Sequence, residues 1–498
     1  MSDSALVGVW PLSPLQEGML FHALYDEQGT DVYVSQMILG LEGKLDAVAL
    51  RASWQALLDR HESLRAGFQR RSSGAPVQLI MRRAVLPWRE EDLSGLPEDE
   101  AWAESERIGL EERARRFDLA VPPLLKVLLV KVGPDRYRMM VTLHHILVDG
   151  WSLPLLMREL WTAYEAGGST RDLPPVTPYR EYLAWLARQD KDAALEAWRR
   201  GLAGTQEPTL VVPVERNAAS APSDTVSGRA SAELDRALRE LTRVHGLTLN
   251  TVVQAAWALM VGKLTARRDV VFGATVAGRP ADLPGMETML GLFINTVPIR
   301  VRFDPAQTVA GMLTELQAQQ SALMDHQYVG LTDIQRVAGP GATFDTLIAF
   351  ENFPSGAKGE KPPGDDSAPL GPAGLKFTES GVRESINYPL GLVAMPIGGL
   401  KLRMSYRTDA FDERTARALV DRLLRLLEQM AADPGMRIGQ IDVVDEIERS
   451  LVVAEWNDTA RPVPVGTLAE LFGVRVGCSP GAVAVVGEGG REWSYGEL

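Results

Sequence analysis

The sequence predicts an α/β protein made of two lobes of similar size. Segments with the apolar pattern of strands alternate along the chain with segments that have the period of helices. The length of 498 residues allows roughly three structural units of about 150 residues each. A tract rich in Gly and Pro, "GGSTRDLPPVTP", interrupts the pattern, and we place the boundary between the lobes near residue 175.

The first lobe begins with a helix that has a clear N-terminal signal. In "PLSPLQEGMLFHAL", Ser13 is the expected N-cap, Pro14 fits the first helical position and Gln16 completes a capping box. A second amphipathic helix is expected in "DAVALRASWQALLDRHESL". Its apolar side chains have helical spacing: Leu50, Trp54, Leu57 and Leu58.

Two strands and a third helix follow. "PLLKVLLVKVG" and "RYRMMVTLHHILV" are predicted strands joined by the turn "GPD". The helix is expected in "SLPLLMRELWTAYEAG", with Ser152 as its N-cap and Gly167 or Gly168 at its end. In the second lobe we expect helices in "YREYLAWLARQ", "AELDRALRELTRVHG" and "TVVQAAWALMVGKLT", a strand in "DVVFGATVAGRP" and a surface loop at residues 355–374.

The composition argues against several classes of partner and site. The net charge of −13 disfavours a nucleic-acid partner and an anionic membrane surface. The N-terminus lacks the pattern of a signal peptide, and no apolar run is long enough to suggest a membrane span. The single cysteine, Cys478, excludes a disulfide within the chain and a cysteine-based metal cluster, and it is compatible with the cytoplasm, where we expect the protein.

The segment "VTLHHILVDGWS" places two of the six histidines side by side at the end of a strand. Neighbouring side chains of a strand point to opposite faces, so we expect one of His144 and His145 in the interior and the other toward a cavity. Two hydrogen-bonded core histidines are the plainer alternative, and zinc ligation is disfavoured because no further ligand has suitable spacing. Asp149 and Gly150 then turn the chain sharply and expose backbone N–H groups near the helix start at Ser152.

A neutral imidazole beside free backbone donors suits acyl transfer. The imidazole can accept a proton near neutral pH, and backbone N–H groups can stabilise a developing oxyanion. The sequence contains no G-x-S-x-G nucleophile elbow and no activated cysteine. We therefore expect direct transfer between two bound substrates rather than a covalent acyl-enzyme.

The segment "HHILVDGWS" resembles the H-H-x-x-x-D-G signature of nonribosomal peptide synthetase condensation domains, which relatives of chloramphenicol acetyltransferase share. Other segments resemble further motifs of the condensation family, in the family's order: "PLSPLQEGMLFH" (11–22), "RHESLRAGF" (60–68), "TPYREYLAWL", "GLFINTVPIR" (291–300), "DHQYVGLTDIQ" (325–335) and "FDTLIAFENFP" (344–354). The first and fourth of these also resemble the subtype whose donor chain ends in an L-residue. Heterocyclisation domains carry D-x-x-x-x-D in place of the histidines and are disfavoured, whereas an epimerisation domain of the same fold stays an alternative despite its different opening motif.

The resemblance implies an architecture for the whole chain. It implies two chloramphenicol-acetyltransferase-like lobes that form a V-shaped pseudo-dimer with a tunnel between them, residues 1–175 being the N-terminal lobe and residues 176–455 the C-terminal lobe. The segments "VAEWNDTARPVPVGTLAELF" and "AVAVVGEGGREWSYGEL" resemble the junction into an adenylation domain. Residues 456–498 are therefore expected to be a linker and the N-terminal fragment of that domain. Because its nucleotide-binding motifs are absent, we do not expect this chain to activate amino acids itself.

The resemblance also implies a reaction and the residues that carry it. A donor aminoacyl or peptidyl thioester and an acceptor aminoacyl thioester, both on phosphopantetheine arms of carrier proteins, would be joined by an amide bond. His145 is expected at the chemistry, as general base or by positioning the amine, with His144 as its inward-facing structural support and the Gly150 N–H as oxyanion donor. No metal and no covalently bound cofactor is expected. Four further residues are expected along the tunnel or in its motifs: Trp151, Ser152, Asn295 and Thr296.

Asp149 allows two interpretations. It could orient His145 as the acid of a catalytic triad, or it could be a buried structural acid that needs a charged partner. We favour the structural role, because Asp149 follows His145 by four residues and a turn. Its expected partner is Arg279 in "VAGRP", a region where the resemblance also suggests an arginine, and Arg65 is the second candidate.

The expected partners are donor and acceptor peptidyl carrier protein domains and an adenylation domain downstream in the parent synthetase, with the chain itself a monomer. Two other functions stay open. A coenzyme-A-dependent acyltransferase would share the fold, but the adenylation-like tail argues against it. A non-catalytic module that only recruits a partner is disfavoured by the intact His145, Asp149 and Gly150.

Overall fold

The computed structural model describes residues 5–25, 31–213, 222–352, 374–444, 446–463 and 465–498. It forms two compact units, residues 1–443 and residues 444–498. The surface loop predicted at 355–374 lies almost entirely outside the described residues. The division of the first unit into two lobes near residue 175 stays a prediction.

Helices and strands alternate throughout the first unit, as the sequence predicts. Its α-helices are α1 Pro14–Tyr25, α2 Ala47–Arg60, α3 Glu98–Ala114, α4 Ser152–Glu165, α5 Arg180–Ala187, α6 Lys191–Gly201, α7 Ala232–His245, α8 Leu249–Thr265, α9 Val309–Leu323, α10 Leu331–Ala338 and α11 Glu413–Ala432. Its strands are β1 Leu6–Trp10, β2 Val34–Glu42, β3 Ala66–Arg70, β4 Pro76–Met81, β5 Trp88–Asp92, β6 Leu125–Gly133, β7 Arg136–His144, β8 Ser223–Arg229, β9 Asp269–Val276, β10 Asn295–Arg302, β11 Thr346–Phe350, β12 Lys376–Arg383, β13 Leu390–Met395 and β14 Lys401–Arg407. The second unit contains α12 Glu446–Ser450, α13 Leu468–Cys478, β15 Val483–Val486 and β16 Glu492–Ser494.

A five-stranded sheet carries the histidine pair. Its strand order is β12-β2-β7-β6-β5, with β7 antiparallel to both β2 and β6. His144 is the last residue of β7 and lies opposite Val34 at the start of β2. The edge strand β12 comes from much later in the chain, so this sheet is completed only by a segment of the second half.

A six-stranded sheet forms the core of the second half. Its order is β10-β9-β11-β13-β14-β8. The helix α8 packs within the same core, and its residues from Thr251 to Gly262 are all buried. No single described helix is long and apolar enough to cross a membrane. Among the helices of the described ranges, α7 and α8 meet that length and composition when taken together, across a bend of 108°.

Two predicted helix starts have different outcomes. The capping box at α1 is confirmed, because Gln16 Oε1 accepts the Ser13 N–H at 2.9 Å while Ser13 Oγ accepts the Gln16 N–H. The prediction that Ser152 caps α4 is wrong. Ser152 is the first helical residue, and its N–H donates to Asp149 Oδ1 at 2.9 Å, because an aspartate three residues earlier serves as the acceptor.

A buried arginine joins β12 to the first half of the chain. Arg138 on β7 is 1% exposed and donates two hydrogen bonds of 2.9 Å to the Glu379 carboxylate on β12. Its guanidinium also donates to Ser105 Oγ and lies 4.1 Å from the ring centre of Trp102 on α3. The edge strand is therefore held by a charge pair that is largely removed from water.

We expect Arg138→Ala to lower the free energy of unfolding by about 2 to 4 kcal/mol, because the substitution strands the Glu379 carboxylate, which keeps partial access to water. Chemical denaturation of both proteins measures this difference. Arg107→Ala on α3 is the matched control, since Arg107 pairs with Glu104 and Glu111 at the surface and should leave stability unchanged. Equal stability of the Arg138→Ala variant and the parent protein would contradict the role of this pair.

Candidate active site

A cavity of about 940 Å³ lies inside the unit of residues 1–443. Part of its lining comes from the loop of residues 144–152, which we call the histidine loop. Residues of α1, α5, β9, β10 and α10 and the segment 384–388 also line it, so both halves of the chain contribute. Five predicted site residues line this cavity together: His145, Gly150, Trp151, Asn295 and Thr296.

His144 points into the interior. It is completely buried; its Nδ1 accepts the Ile146 N–H at 3.1 Å, and its Nε2 lies 3.2 Å from Asp31 Oδ2. Burial alone would raise the pKa of the Asp31 carboxyl, but hydrogen bonds from His144 and from the Tyr33 N–H outweigh burial and hold this pKa below its usual range. The environment of His144 is that of a structural histidine.

His145 faces the cavity. The side chain is half-buried, and the backbone N–H donates to the Tyr33 carbonyl at 2.8 Å. Within the described residues, His145 Nδ1 is a buried atom without a hydrogen-bond partner, and the Gly150 N–H donates to no protein group. The imidazole of His145 and the backbone of Gly150 thus line the same cavity.

Asp149 is a buried residue of the histidine loop, and both of its carboxylate oxygens accept hydrogen bonds. Its Oδ1 accepts from the Ser152 N–H, from Ser152 Oγ at 2.8 Å and from Arg279 Nη2 at 3.2 Å. Its Oδ2 accepts the Phe293 N–H at 3.2 Å, and its own N–H donates to the Gly291 carbonyl. These bonds direct the carboxylate toward the second half of the chain, and none of them involves His145.

Arg279 is held on several sides at once. Its Nη1 donates to the carbonyls of Met286 and Met289, and its guanidinium lies 4.1 Å from the ring centre of Phe293. Burial lowers the pKa of Arg279, while the neighbouring Asp149 carboxylate opposes this. A guanidinium remains charged in proteins, so the contact with Asp149 is an ion pair.

The second candidate partner of Asp149, Arg65, lies elsewhere. It donates to the backbone carbonyls of Leu58, Asp59 and Met81 and so joins the end of α2 to β4. The pairing that the structure brings together is Asp149 with Arg279.

The other predicted site residues have distinct positions. Trp151 lines the cavity, whereas Ser152 is buried and its Oγ lies 2.9 Å from the Gly291 carbonyl oxygen. Asn295 Nδ2 donates to the carbonyls of Gln327 and Val329 at 2.8 and 2.7 Å, and Asn295 Oδ1 accepts the Thr296 N–H. Asn295 therefore joins the start of β10 to the loop before α10.

Gln16 is a functional residue that the sequence analysis recognised only as a helix cap. Its Nε2 donates to the Ile146 carbonyl at 3.0 Å, which attaches α1 to the histidine loop. Gln16 is 2% exposed, so its whole amide group needs hydrogen-bond partners within the protein.

Glu351 was missed altogether. Glu351 follows β11 directly. Both Glu351 and Glu384 line the cavity. Burial first, and then the charge of Glu384, raise the pKa of Glu351 to about 7, while Arg403 opposes this. Arg403 itself lies 3.6 Å from Glu384. The available signal was an acidic residue immediately after an apolar strand in "FDTLIAFENFP".

No metal site is indicated in the part of the chain that the structure describes, where no group of three or more His, Cys, Asp or Glu side chains is arranged to hold an ion. The polar groups that line the cavity include the imidazole of His145, the backbone of Gly150 and the carboxyl groups of Glu351 and Glu384.

Known proteins match nearly the whole chain. A family model described as "Condensation domain" matches residues 7–453. One of the linear gramicidin synthase proteins of Brevibacillus parabrevis is 35% identical over 493 residues, a match that covers 97% of this chain and 6% of that protein. The chain thus spans only a small part of this relative's length.

Solved structures share the fold. The first condensation domain of the calcium-dependent antibiotic synthetase, in complex with a substrate analogue, aligns with a TM-score of 0.70 at 22% identity, covering 88% of this chain and 100% of that chain. A four-domain nonribosomal peptide synthetase bound to AMP and glycine aligns with a TM-score of 0.81 at 18% identity, covering 99% of this chain and 38% of that chain. The predicted α/β fold of the chloramphenicol-acetyltransferase type is confirmed by these likenesses.

We expect Asp149→Ala and Arg279→Ala each to lower the free energy of unfolding by about 3 to 5 kcal/mol, because each leaves a buried charge without its partner. The double variant should be destabilised by less than the sum of the two single variants, since the second substitution removes the stranded charge. Denaturation of all four proteins measures this coupling. If Asp149→Ala were as stable as the parent protein but inactive, Asp149 would act on His145 and the structural role would be wrong.

The raised pKa of Glu351 predicts that ionisation of this carboxyl group lowers the stability of the folded protein. Because the pKa in the folded state is about 7 and the ordinary value is 4.5, stability should fall as pH rises through this window, and the cost is complete above it. Glu351→Gln should therefore stabilise the protein by up to about 3 kcal/mol at alkaline pH, with no gain at acidic pH. Thermal unfolding across the pH range measures the difference, with the exposed Glu100→Gln as control. A gain that does not depend on pH would contradict the assignment.

Proposed function

This chain belongs to the condensation-domain family of nonribosomal peptide synthetases, and we propose that its cavity joins two carrier-bound substrates by an amide bond. The observation that carries the proposal is that the imidazole of His145 and the Gly150 N–H line one cavity of about 940 Å³. The donor is an aminoacyl or peptidyl thioester and the acceptor is an aminoacyl thioester, each on the phosphopantetheine arm of a carrier protein.

The reaction is a nucleophilic acyl substitution. The acceptor α-amine attacks the thioester carbonyl, the C–N bond forms, and the C–S bond breaks to release the thiol of the donor arm. An α-amine has a pKa of about 8, so a useful fraction is unprotonated at neutral pH and no strong base is required before attack. His145 orients the amine and accepts its proton as the bond forms, and the Gly150 N–H donates to the carbonyl oxygen as negative charge develops there.

Two features of the chain support a finer proposal. We infer that the donor chain ends in an L-residue, because the segments "SPLQEGMLFH" and "GLFINTVPIRV" resemble that subtype. We also infer that residues 456–498 are a linker and the start of an adenylation domain. In support, the family model ends at residue 453. The solved structure of a single condensation domain covers 88% of this chain, whereas the four-domain synthetase covers 99%.

The partners follow from this reaction. We propose that a donor and an acceptor carrier protein deliver the substrates, that an adenylation domain follows in the parent synthetase and that the domain acts as a monomer. The cytoplasm is the proposed compartment, with which the single, exposed Cys478 is compatible.

We expect His145→Ala to keep the fold and to lower the rate of amide formation by about 10² to 10⁴, the range for a positioned acid or base. The assay combines loaded donor and acceptor carriers with this chain and detects the condensed product by mass. The control is His245→Ala, which alters an exposed histidine at the end of α7 and should leave the rate unchanged.

Three results would contradict the proposal. Near-normal product formation by His145→Ala would remove His145 from the chemistry. Efficient transfer from a coenzyme A thioester, without any carrier, would favour the acyltransferase alternative. Binding of carriers by the parent protein without any product would favour a module that only recruits a partner.

A further inference from the structure

A buried aspartate contacts the histidine pair and lies outside the sequence segments that resemble the motifs of the family. Asp31 is 7% exposed and lies just before β2. Its Oδ1 accepts the Tyr33 N–H at 3.0 Å, and its Oδ2 lies 3.2 Å from His144 Nε2. The two carboxylate oxygens thus have separate donors, one in the backbone and one in the imidazole.

The contacts of His144 determine which ring nitrogen carries the proton. Nδ1 faces the Ile146 N–H at 3.1 Å, and a backbone N–H can only donate. Nδ1 must therefore be the unprotonated acceptor, and the single proton of the neutral ring is on Nε2, where it points at Asp31. The Asp31 carboxylate accepts a hydrogen bond from this Nε2–H. It disfavours the Nδ1-protonated tautomer, whose Nε2 lone pair would face a negative charge.

The backbone of Ile146 connects His144 to His145, the histidine expected at the chemistry. The Ile146 N–H donates to His144 Nδ1, and the Ile146 carbonyl accepts from Gln16 Nε2, so both backbone polar groups of this residue are held by hydrogen bonds. The backbone of His145 is held as well, since the His145 N–H donates to the Tyr33 carbonyl at 2.8 Å. The backbone on each side of His145 is therefore held by groups whose geometry depends on His144 and the residues that lead into β2.

We propose that Asp31 is a positioning residue, which sets the Nε2-protonated tautomer of His144 and thereby fixes the turn that aims His145 into the cavity. With the proton on Nδ1 instead, two donors would face each other between His144 and Ile146, and the turn would have to move. This inference rests on the proposed amide-forming function, and it assigns to Asp31 an effect on the reaction without contact to substrate.

The sharpest variant is Asp31→Asn, which keeps the shape of the side chain and replaces one acceptor by a donor. The amide of this variant can satisfy either the Tyr33 N–H or the His144 Nε2 proton, but not both. We expect kcat to fall about 10- to 100-fold with little change in KM, because misplacement of a reacting group acts on the chemical step. The matched control is Asp46→Asn at the N-cap of α2, where an asparagine caps equally well and kcat should not change.

A merely structural role of Asp31 is tested by combining the substitution with His144→Ala. If Asp31 acts through His144, Asp31→Asn should cause no further loss of kcat in the His144→Ala background. An equal fold-loss in both backgrounds would overturn the proposal and assign the effect to the turn of residues 31–34. An unchanged kcat in the single variant would overturn it as well.

Nitrogen NMR of isotope-labelled histidine gives a readout that does not need activity. We expect the parent protein to show His144 protonated on Nε2 alone and Asp31→Asn to shift the signal toward the Nδ1-protonated form. A parent protein protonated on Nδ1 would overturn the proposal. Failure of the parent protein to form any amide would count against the proposed function, whereas the tautomer measurement would still decide the role of Asp31.

Discussion

The buried carboxylate of Asp149 is the interaction on which the rest of the site depends. A charge that leaves water must regain its hydrogen bonds within the protein, because an unpaired buried charge is very costly. Asp149 regains them partly from Ser152 in its own loop and partly from Arg279 and the Phe293 N–H, which lie far along the chain. The histidine loop therefore has one defined position only when the segment 279–293 is folded beneath it.

The histidine loop is anchored at both ends, and the anchors differ in kind. At its start, the backbone around His145 is held through neutral hydrogen bonds to Tyr33 and Gln16. At its end, the ion pair and the hydrogen bonds of Asp149 hold the residues after the turn. Among the described residues, His145 Nδ1 and the Gly150 N–H have no hydrogen-bond partner in the protein. Rigid support around a few unsatisfied groups is the arrangement that a preorganised active site requires.

The elements of the fold were predictable where they depend on residues a few positions apart. The capping box of Ser13 and Gln16 and the buried stripe of α2 follow from such local spacing. Ser152 was misassigned because its own capping tendency says nothing about an aspartate three residues earlier that does the capping. Long-range partners could not be found in this way: nothing in the sequence near Asp31 indicates His144, and the spacing of residues in β12 does not show that it pairs with β2.

The pairing of β12 with β2 also makes the assembly of the protein depend on the order of its synthesis. Arg138 meets Glu379, a residue 241 positions later, so the N-terminal sheet keeps an open edge at β2 while the second half is still being translated. An open strand edge can pair with other chains, and contacts so distant in sequence form slowly. The N-terminal half is consequently unsuited to completing its fold as it emerges from the ribosome, and it reaches its final form only after translation has passed residue 383.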